Sequence, residues 1–298
     1  MDRLDELHVF LAIFDAGGMA AAARKLRRSP PAVTRILGVL EQRLGARLFE
    51  RSTRSLTPTE AGQRFALQAR HVLAEYEAAV EAHSQAPLRG MLRIAAPVVF
   101  GRRHVTPLVT RFLARYPDIS ADLVLADRNA DLIEEGIDVA VRIGPLPDSS
   151  LVARKVGQVR RLAVASPAYL KRRGTPARPA DLAGHDIILS TTIRPLPEWR
   201  FRHKGRDVAV RFTPRLQLND VEAMLNTARA GFGIARVLSY QVAEDLKKRK
   251  LVRLLADYEP APVPVHLVLP SARLMPGRLR AFVDFAAAEL GALDVLAM

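Results

Sequence analysis

Residues 20–62 read AAAARKLRRSPPAVTRILGVLEQRLGARLFERSTRSLTPTEAG, and this stretch decides the fold of the N-terminal part of the chain. It begins within a short Ala-rich helix predicted over Met19 to Leu26. Ser29 suits the N-cap of the next helix and Pro30 its first position. That helix is expected to end near Leu44, before Gly45, with its apolar stripe formed by Val33, Ile36, Leu37, Leu40 and Leu44. A short helix, a tight turn and a capped helix indicate a helix-turn-helix.

The flanking residues extend this motif. A helix is predicted before it, from about Leu4 to the glycine pair at 17–18, because apolar residues recur at helical spacing. Residues 48–57 predict strand, basic turn and strand, which is the wing of a winged helix. Thr57 and Glu60 have capping-box spacing, so another helix is expected to start there.

A long helix is predicted from about Thr59 to Ala86, roughly 40 Å in length. Apolar side chains recur along it at steps of three and four. A single helix of this length has no core of its own, so a second copy of the chain is the expected cover. The expected homodimer contacts are Phe65, Ala69, Val72, Tyr76 and Val80.

The charge is concentrated in the same region. The chain has 298 residues and a net charge of +14, from 45 basic and 31 acidic side chains. Residues 19–58 hold nine basic and two acidic side chains, a balance of +7, between acidic flanks. Such a segment indicates double-stranded DNA as a partner. The expected contacts, from the recognition helix and the wing, are Arg28, Ser29, Pro30, Pro31, Ala32, Thr34, Arg35, Arg51, Thr53 and Arg54.

The alternative for Arg35 is an ordinary solvated surface arginine. The total charge has an alternative origin too, since an arginine-rich and alanine-rich composition is what a GC-rich genome produces. The position of the basic residues therefore carries more weight than their number.

The stretch resembles the DNA-binding segment of LysR-type transcriptional regulators. The matching pieces are Ala-Ala-Arg-x-Leu at 22–26, Ser29-x-x-Ala-Val-Thr-Arg35, Leu40-Glu-x-x-Leu-Gly45, Leu48-Phe-x-Arg51 and Leu56-Thr-x-x-Glu-Ala-Gly62. The chain departs from the family at Met19-Ala20, Thr34 and Ile36, which makes its base preference less predictable. Members of this family are commonly tetramers, so the resemblance implies a homotetramer built from dimers.

Residues 91–298 alternate between strand and helix patterns, which predicts a mainly parallel sheet covered by helices. The predicted segments include a helix near 130–135 and a strand over 263–269 that crosses back to the first half. The expected domains are a winged helix-turn-helix at 1–58, a linker helix and hinge at 59–90, and a two-lobed α/β domain at 91–298. Lobe 1 is expected at about 91–160 and 266–298, and lobe 2 at about 161–265.

This half resembles the effector-binding part of LysR-type regulators, which has the type 2 periplasmic-binding-protein-like fold. The matching pieces include Leu92-Arg-Ile-x-Ala-Pro97, Gly136-Ile-Asp-Val-Ala-Val-Arg-Ile-Gly144, Ala165-Ser-Pro-x-Tyr-Leu170 and Gly231-x-Gly-Ile-Ala235. The resemblance implies a small-molecule effector between the lobes, where strand ends and helix N-termini converge. The corresponding residues here are Ala96, Pro97, Val98, Val99, Phe100, Arg142, Ile143, Ser166, Asn219 and Asp220.

Several of these residues have simpler explanations. Asn219 or Asp220 could only cap a helix, and Arg142 could pair with Asp138. Many family members carry a Ser or Thr where this chain has Ala96-Pro97, so the first-lobe hydroxyl that would bind a carboxylate is missing or supplied elsewhere. We expect an effector that is a carboxylate or an aromatic molecule.

Other function classes find little support in the sequence. The chain has no cysteine, its seven histidines lack metal-ligand spacing, and Gly231-x-Gly233 follows a helix rather than a strand. We therefore expect no enzyme activity, cofactor or metal. The N-terminus lacks the pattern of a signal peptide and no window reaches about 18 apolar residues, so we expect a cytoplasmic protein. The sequence thus predicts an effector-responsive DNA-binding regulator; a small-molecule-binding protein without a role in gene regulation is the alternative.

Overall fold

The computed structural model describes residues 2–51, 56–81, 87–128, 131–146, 151–191, 197–270 and 275–297. The chain forms two compact units, one built mainly from residues 1–88 and the other mainly from residues 89–298.

The first unit contains three helices packed around a common core. These are α1 (Arg3–Ala16), α2 (Met19–Lys25) and α3 (Pro30–Leu44). Phe10 lies at the centre of this core and is fully buried. Its ring contacts Phe49 and Phe65, with centroids 5.5 and 5.2 Å away. The small side chains of α2, Ala22 and Ala23, are buried and allow the close helix packing expected from the Ala-rich sequence.

A short hairpin and a long helix complete this unit. Strands β1 (Phe49–Arg51) and β2 (Leu56–Pro58) pair antiparallel, which confirms the predicted wing strands. Helix α4 spans Glu60–Glu81. Thr59 precedes it, and its hydroxyl accepts a hydrogen bond from the Gly62 amide at 2.9 Å. Thr59 is thus the cap, whereas Thr57 lies in β2, so the expected capping by Thr57 is wrong.

The second unit has two lobes, each built on a five-stranded sheet. In lobe 1 the strand order is β4-β3-β5-β14-β6. These strands are β3 (Gly90–Ala96), β4 (Ile119–Leu125), β5 (Val139–Ile143), β6 (Val152–Val159) and β14 (Val263–Leu269). Between β3 and β4, α5 (Val98–Phe100) continues through a π-helical turn (Gly101–Val105) into α6 (Thr106–Arg115). Helix α10 (Gly277–Gly291) packs on this lobe through Phe282, whose ring centroid lies 5.1 Å from that of Phe112.

In lobe 2 the strand order is β11-β8-β12-β7-β13. The elements are β7 (Arg161–Ala165), α7 (Pro167–Arg173), β8 (Ile187–Ser190), β11 (Leu216–Leu218), α8 (Val221–Arg229), β12 (Ile234–Leu238), α9 (Ser239–Lys247) and β13 (Val252–Leu254). Strands β9 (Glu198–His203) and β10 (Arg206–Arg211) form the predicted hairpin, with Lys204 and Gly205 at its turn. Trp199 and Phe201 of this hairpin pack into one of the two hydrophobic cores of lobe 2.

The lobes are joined by two crossings, as predicted. The chain leaves lobe 1 at Arg160, between β6 and β7, and returns before β14. Because β14 pairs with β5 and β6 from Val263 onward, lobe 2 ends a few residues earlier than expected. Arg103 of lobe 1 also donates hydrogen bonds to the carbonyls of Tyr240 and Gln241 in lobe 2, at 3.2 and 2.9 Å.

Three expectations about the second unit are wrong. Residues 132–136 form turns rather than the predicted helix. Strand β6 is not predicted, because the apolar alternation that marks a strand is absent from its exposed first half. The sheets are mixed rather than mainly parallel, since each contains two parallel and two antiparallel pairings.

Within the described residues, no single helix is both long and apolar enough to cross a membrane. The bent pair of α1 and α2 meets the length and composition limits, with an angle of 119° between its helices. Its apolar residues belong to the buried core of the first unit.

Candidate functional sites

The turn between α2 and α3 is built from backbone geometry rather than from a side-chain cap. Arg27 adopts the left-handed conformation with φ 53°, and the Arg28 amide donates to the Ala23 carbonyl at 2.9 Å, which closes α2. Ser29 has the extended backbone of an N-cap, as predicted. Its side chain makes no capping hydrogen bond, contrary to expectation, and Ser29 is exposed.

Helix α3 has one buried and one exposed face. Val33, Ile36, Leu37 and Leu40 are buried in the core of the first unit. The exposed residues recur at steps of four and three, so they form one stripe: Pro31, Arg35, Gly38 and Gln42. Gln42 is absent from the predicted DNA contacts, although its spacing of seven from Arg35 indicates this stripe.

The other predicted contacts in the turn and helix differ in exposure. Pro30 is exposed beside Ser29, whereas Ala32 and Thr34 are half-buried at the edge of the stripe. The start of α3 therefore offers backbone, proline rings and the Ser29 hydroxyl together with the Arg35 guanidinium.

Two of the basic side chains in this region are neutralised within the first unit. Arg28 binds both carboxylate oxygens of Asp5 at 2.8 Å, and this hydrogen bonding holds the pKa of Asp5 below its usual range. Arg43 contacts both oxygens of the fully buried Glu6, at 2.7 and 2.6 Å. Arg28 thus fixes the turn to α1, and its predicted DNA contact stays a prediction.

Five other basic side chains remain exposed and have no ionic partner among the described residues: Arg24, Lys25, Arg27, Arg35 and Arg47. They lie on α2, in the two loops that flank α3, and on α3 itself. Several exposed positive charges without ionic partners on and around one helix favour a polyanion as the partner.

The wing is attached to α3 by a carboxylate. Glu41 Oε1 accepts hydrogen bonds from the Leu48 and Phe49 amides, at 2.7 and 3.3 Å. The backbone of Arg51 pairs with that of Leu56 in the hairpin. The Arg51 side chain and residues 52–55, which include the predicted contacts Thr53 and Arg54, lie outside the described residues.

The predicted dimer contacts on α4 fall into two groups, one buried in the first unit and one exposed. Ala69 is buried and Phe65 is packed against the same core, so both side chains hold α4 on the first unit. The structure therefore corrects the expectation that they face a second copy. Val72, Tyr76 and Val80 are about half exposed, at 47%, 52% and 50%. Arg70 strengthens the attachment, since it contacts Asp15 at 2.5 Å and lies over the Phe14 ring.

A cleft with a volume of about 530 Å³ lies between the two lobes of the second unit. Four of the predicted effector contacts line it: Ala96, Pro97, Arg142 and Ile143. Much of the remaining wall is apolar, from residues that include Val124, Ile188, Leu189, Met224, Val237 and Val263. The size and mixed character of the cleft suit a small organic molecule.

The remaining predicted effector contacts do not line the cleft. Val99 and Phe100 are buried, and Phe100 packs edge-on against Tyr240 with centroids 5.1 Å apart. Ser166 is buried and caps α7, where its hydroxyl accepts from the Tyr169 amide at 3.3 Å. Asp220 caps α8 in the same way at 2.7 Å, beside the exposed Asn219. Capping, the simpler explanation for Asp220, is therefore confirmed.

Asp127 occupies the position on lobe 1 where an anion was expected. Its Oδ1 accepts a hydrogen bond from the Val98 amide at 3.0 Å, at the start of the helix that follows β3. Val98 thus contributes its amide to Asp127 rather than to the cleft. The alternative partner proposed for Arg142, Asp138, accepts from the Arg93 amide at 2.7 Å.

The wall on lobe 2 is basic. Arg161 and Arg236 both line the cleft. Burial, together with the smaller effect of the neighbouring Arg161 charge, lowers the pKa of Arg236 to about 10. Burial also lowers the pKa of Arg161. The Arg236 guanidinium lies over the rings of Trp199 and Phe201, at 6.0 and 5.6 Å from their centroids.

Sequence reasoning missed the residues that give the cleft its charge: Asp127, Arg128, Arg161, Glu198 and Arg236. Arg161 begins the apolar strand β7 and Arg236 interrupts the apolar strand β12, and these positions are the local signal. In the described part of the chain, no group of His, Asp and Glu side chains could hold a metal ion.

Comparison with known proteins agrees with this arrangement. Residues 4–63 match the family described as "Bacterial regulatory helix-turn-helix protein, lysR family", and residues 85–291 match "LysR substrate binding domain". The chain belongs to the LysR family of transcriptional regulators. This LysR-type regulator therefore combines a DNA-binding helix-turn-helix with an effector-binding domain, and the predicted fold class is confirmed.

Several relatives match over nearly the whole chain. The HTH-type transcriptional regulator CrgA of Neisseria meningitidis serogroup C (strain 8013) is 34% identical over 291 residues, which cover 96% of this chain and 97% of CrgA. The HTH-type transcriptional activator AaeR of Escherichia coli (strain K12) is 32% identical over 289 residues, covering 95% and 93%.

Solved structures show the same likeness. The full-length structure of AphB, a virulence activator of Vibrio cholerae, has a TM-score of 0.62 at 29% identity and covers 96% of this chain and 99% of AphB. The structure of CrgA from Neisseria meningitidis has a TM-score of 0.62 at 32% identity, covering 96% and 98%. Family members are transcriptional regulators that bind DNA and small-molecule effectors.

Proposed function

We propose that this LysR-type regulator reads its operator with the exposed stripe of α3, and that a molecule in the interlobe cleft changes its DNA binding or promoter output. The observation that carries the first half is Arg35, which lies exposed in the middle of that stripe without an ionic partner among the described residues. In winged helix-turn-helix proteins such a helix enters the major groove. An arginine there can bind guanine through two hydrogen bonds or contact a phosphate.

The surrounding residues have supporting roles in this proposal. Ser29, Pro30, Pro31, Ala32 and Thr34 approach the DNA at the start of α3. Arg51, Thr53 and Arg54 of the wing contact phosphates or the minor groove. Arg24, Lys25, Arg27 and Arg47 add charge around α3. Arg28 acts indirectly, because its pairing with Asp5 holds the turn that positions α3.

The oligomeric state follows from α4 in this proposal. Val72, Tyr76 and Val80 lie at steps of four on the C-terminal half of α4 and expose apolar surface. Pairing of this stripe with its counterpart in a second copy would bury it. The regulator would then be a homodimer that reads two half-sites, and two dimers would form a homotetramer. We further propose that it acts in the cytoplasm, where its DNA target lies.

The cleft supports a carboxylate or aromatic effector. Its wall combines apolar side chains with the arginines of lobe 2, while Ala96 and Pro97 offer no hydroxyl on lobe 1. Two chain crossings and the Arg103 contacts connect the lobes, so binding between them can shift the balance between two lobe arrangements.

A gel-shift assay on the DNA upstream of the protein's own gene tests the DNA assignment. The full-length protein is expected to bind a specific segment, and the Arg35→Ala, Arg51→Ala double variant is expected to lose most of that binding. The matched control is Arg154→Ala, Arg206→Ala, which removes the same charge from the second unit. Equal binding by the double variant and the native protein would disprove the role of α3 and the wing.

A further inference from the structure

Arg161 and Arg236, the two arginines of the lobe 2 wall, are neighbours because their strands are paired in the sheet. Strands β7 and β12 are antiparallel, with Ala163 opposite Arg236 and Leu238 opposite Arg161. Because Arg161 and Ala163 are two residues apart, Arg161 and Arg236 point to the same face. Both side chains border the cleft. Burial lowers the pKa of each guanidinium, and the charge of Arg161 lowers the pKa of Arg236 as well.

Neither arginine has a carboxylate partner among the described residues. Arg161 makes no hydrogen bond or ion pair there, and Arg236 donates only to the Arg200 carbonyl, at 2.8 Å. The nearby Glu198 is shared by Arg200 and Arg211, each at 3.4 Å. Two neighbouring guanidinium groups on one face of the sheet repel each other, and an anion between them would relieve that repulsion.

One anion position on the opposite wall, the helix start of lobe 1, is already taken. On lobe 1 the helix start is already bound by Asp127, whose carboxylate accepts from the Val98 amide. A second anion at that point would meet the Asp127 charge and find this amide occupied. Lobe 1 also contributes Arg128 and Arg142 to the cleft lining. What distinguishes lobe 2 is a pair of neighbouring guanidinium groups that no carboxylate in the described residues neutralises.

We propose that the cleft binds an organic acid whose acid group is held by Arg161 and Arg236 of lobe 2, with its apolar body against the hydrocarbon wall of the cleft. The acid group offsets one of the two guanidinium charges and lowers the repulsion between them. The body contacts side chains such as Ile143, Met224 and Val263, which line the same space. This assignment rests on the proposed function of the cleft as the effector site, and adds which lobe holds the acid.

Binding measurements on the full-length protein test the proposal with phenylacetate and octanoate, each paired with its neutral amide. Isothermal titration calorimetry is expected to show binding of at least one acid, and its amide is expected to bind at least about tenfold more weakly. Arg161→Gln and Arg236→Gln are each expected to weaken acid binding by roughly tenfold to a hundredfold. The matched control, Arg206→Gln on the exposed end of β10, is expected to bind as the native protein does.

A second measurement needs no ligand. In the ligand-free protein, Arg161→Gln removes the repulsion on Arg236 and is expected to raise the melting temperature, whereas Arg206→Gln is expected to leave it unchanged. A lower melting temperature for Arg161→Gln would show that Arg161 has a structural partner and would overturn the assignment.

Three binding results would also overturn it. These are equal affinity for acid and amide, no binding by either acid, or a loss in Arg142→Gln that equals or exceeds the losses in the lobe 2 variants. Failure of the proposed function would look different: acids would bind through Arg161 and Arg236, yet saturating acid would leave the gel shift and promoter output unchanged.

Discussion

Arg28 donates two hydrogen bonds, each 2.8 Å long, to the two carboxylate oxygens of Asp5. This pair joins the turn before α3 to the first turn of α1, across 23 residues of sequence. Arg35, seven residues further along, is exposed and has no ionic partner in the described part of the chain. Two arginines of the same motif therefore carry different functions.

The salt dependence of DNA binding should separate these two arginines. Arg35→Gln is expected to reduce the slope of log affinity against log salt by about 0.9 for each head, or about 2 for a dimer, because one phosphate-neutralising charge is lost. Arg28→Gln is expected to leave the slope unchanged and to lower the thermal stability of the first unit. Fluorescence anisotropy across a salt series measures the slope. For the native dimer we expect a slope of about −10, which corresponds to about six cations per head in contact with phosphates. An equal loss of slope in both variants would refute the division.

In the first unit, the sequence correctly predicts the features that local sequence determines. The boundaries of α3 follow from Ser29, Pro30 and Gly45, and its buried face follows from helical spacing. The partner of Arg28 could not be predicted in this way, because nothing near Arg28 in sequence identifies Asp5. The same limit applies to Ala69, whose apolar character fits a dimer stripe as well as the core that it joins.

The cleft was predicted less well than the fold around it, for a physical reason. Ser166 and Asp220 correspond to positions that the family resemblance places at the cleft, and both instead accept hydrogen bonds from amides in the first turns of the helices that they begin. Arg161 and Arg236 become neighbours only through the antiparallel pairing of β7 with β12, which single-strand patterns do not reveal.

Close packing of the wing against α4 depends on a glycine. A Cβ atom on Gly62 would lie 2.0 Å from the Leu48 carbonyl oxygen, whereas one on Gly38 of α3 would meet nothing within 4 Å. Gly62→Ala is therefore expected to destabilise the first unit by about 1–3 kcal/mol. Gly38→Ala, the matched control in a helix interior, is expected to stabilise it by about 0.5–1 kcal/mol. Urea unfolding followed by circular dichroism measures both changes, and similar effects of the two substitutions would contradict the steric argument.

The second unit should lose stability in mild acid. Burial lowers the pKa of His104, His185 and His266 below the usual value of 6.5. The unfolded chain therefore takes up these protons first as the pH falls through about 6.5, so stability decreases below that pH and is unaffected above it. His104 is the best probe, because it packs between Phe100 and Tyr240 and its buried Nε2 has no hydrogen bond among the described residues.

Replacement of His104 by Phe should test this titration without leaving a cavity. His104→Phe removes the ionisable group while keeping an aromatic ring beside Phe100, and Arg103, the charged neighbour that also lowers the pKa of His104, is retained. The free energy of unfolding of the variant is expected to depend less on pH between about 7 and about 5 than that of the native protein. An unchanged pH dependence would show that His104 takes up its proton at the same pH in the folded and the unfolded chain.

The exposed stripe of α4 should control assembly. Tyr76→Lys, Val80→Lys places two charges on the surface that we propose is buried between copies, and like charges from both copies would face each other there. Sedimentation velocity is expected to show dissociation toward the monomer. Gln63→Lys, on an exposed part of α4 away from this stripe, is expected to leave the native assembly intact. Ala69→Lys differs from both, because Ala69 is buried in the first unit and its replacement is expected to unfold that unit rather than only separate the copies. If the Tyr76, Val80 variant keeps the native sedimentation coefficient, α4 does not form the dimer and another surface must do so.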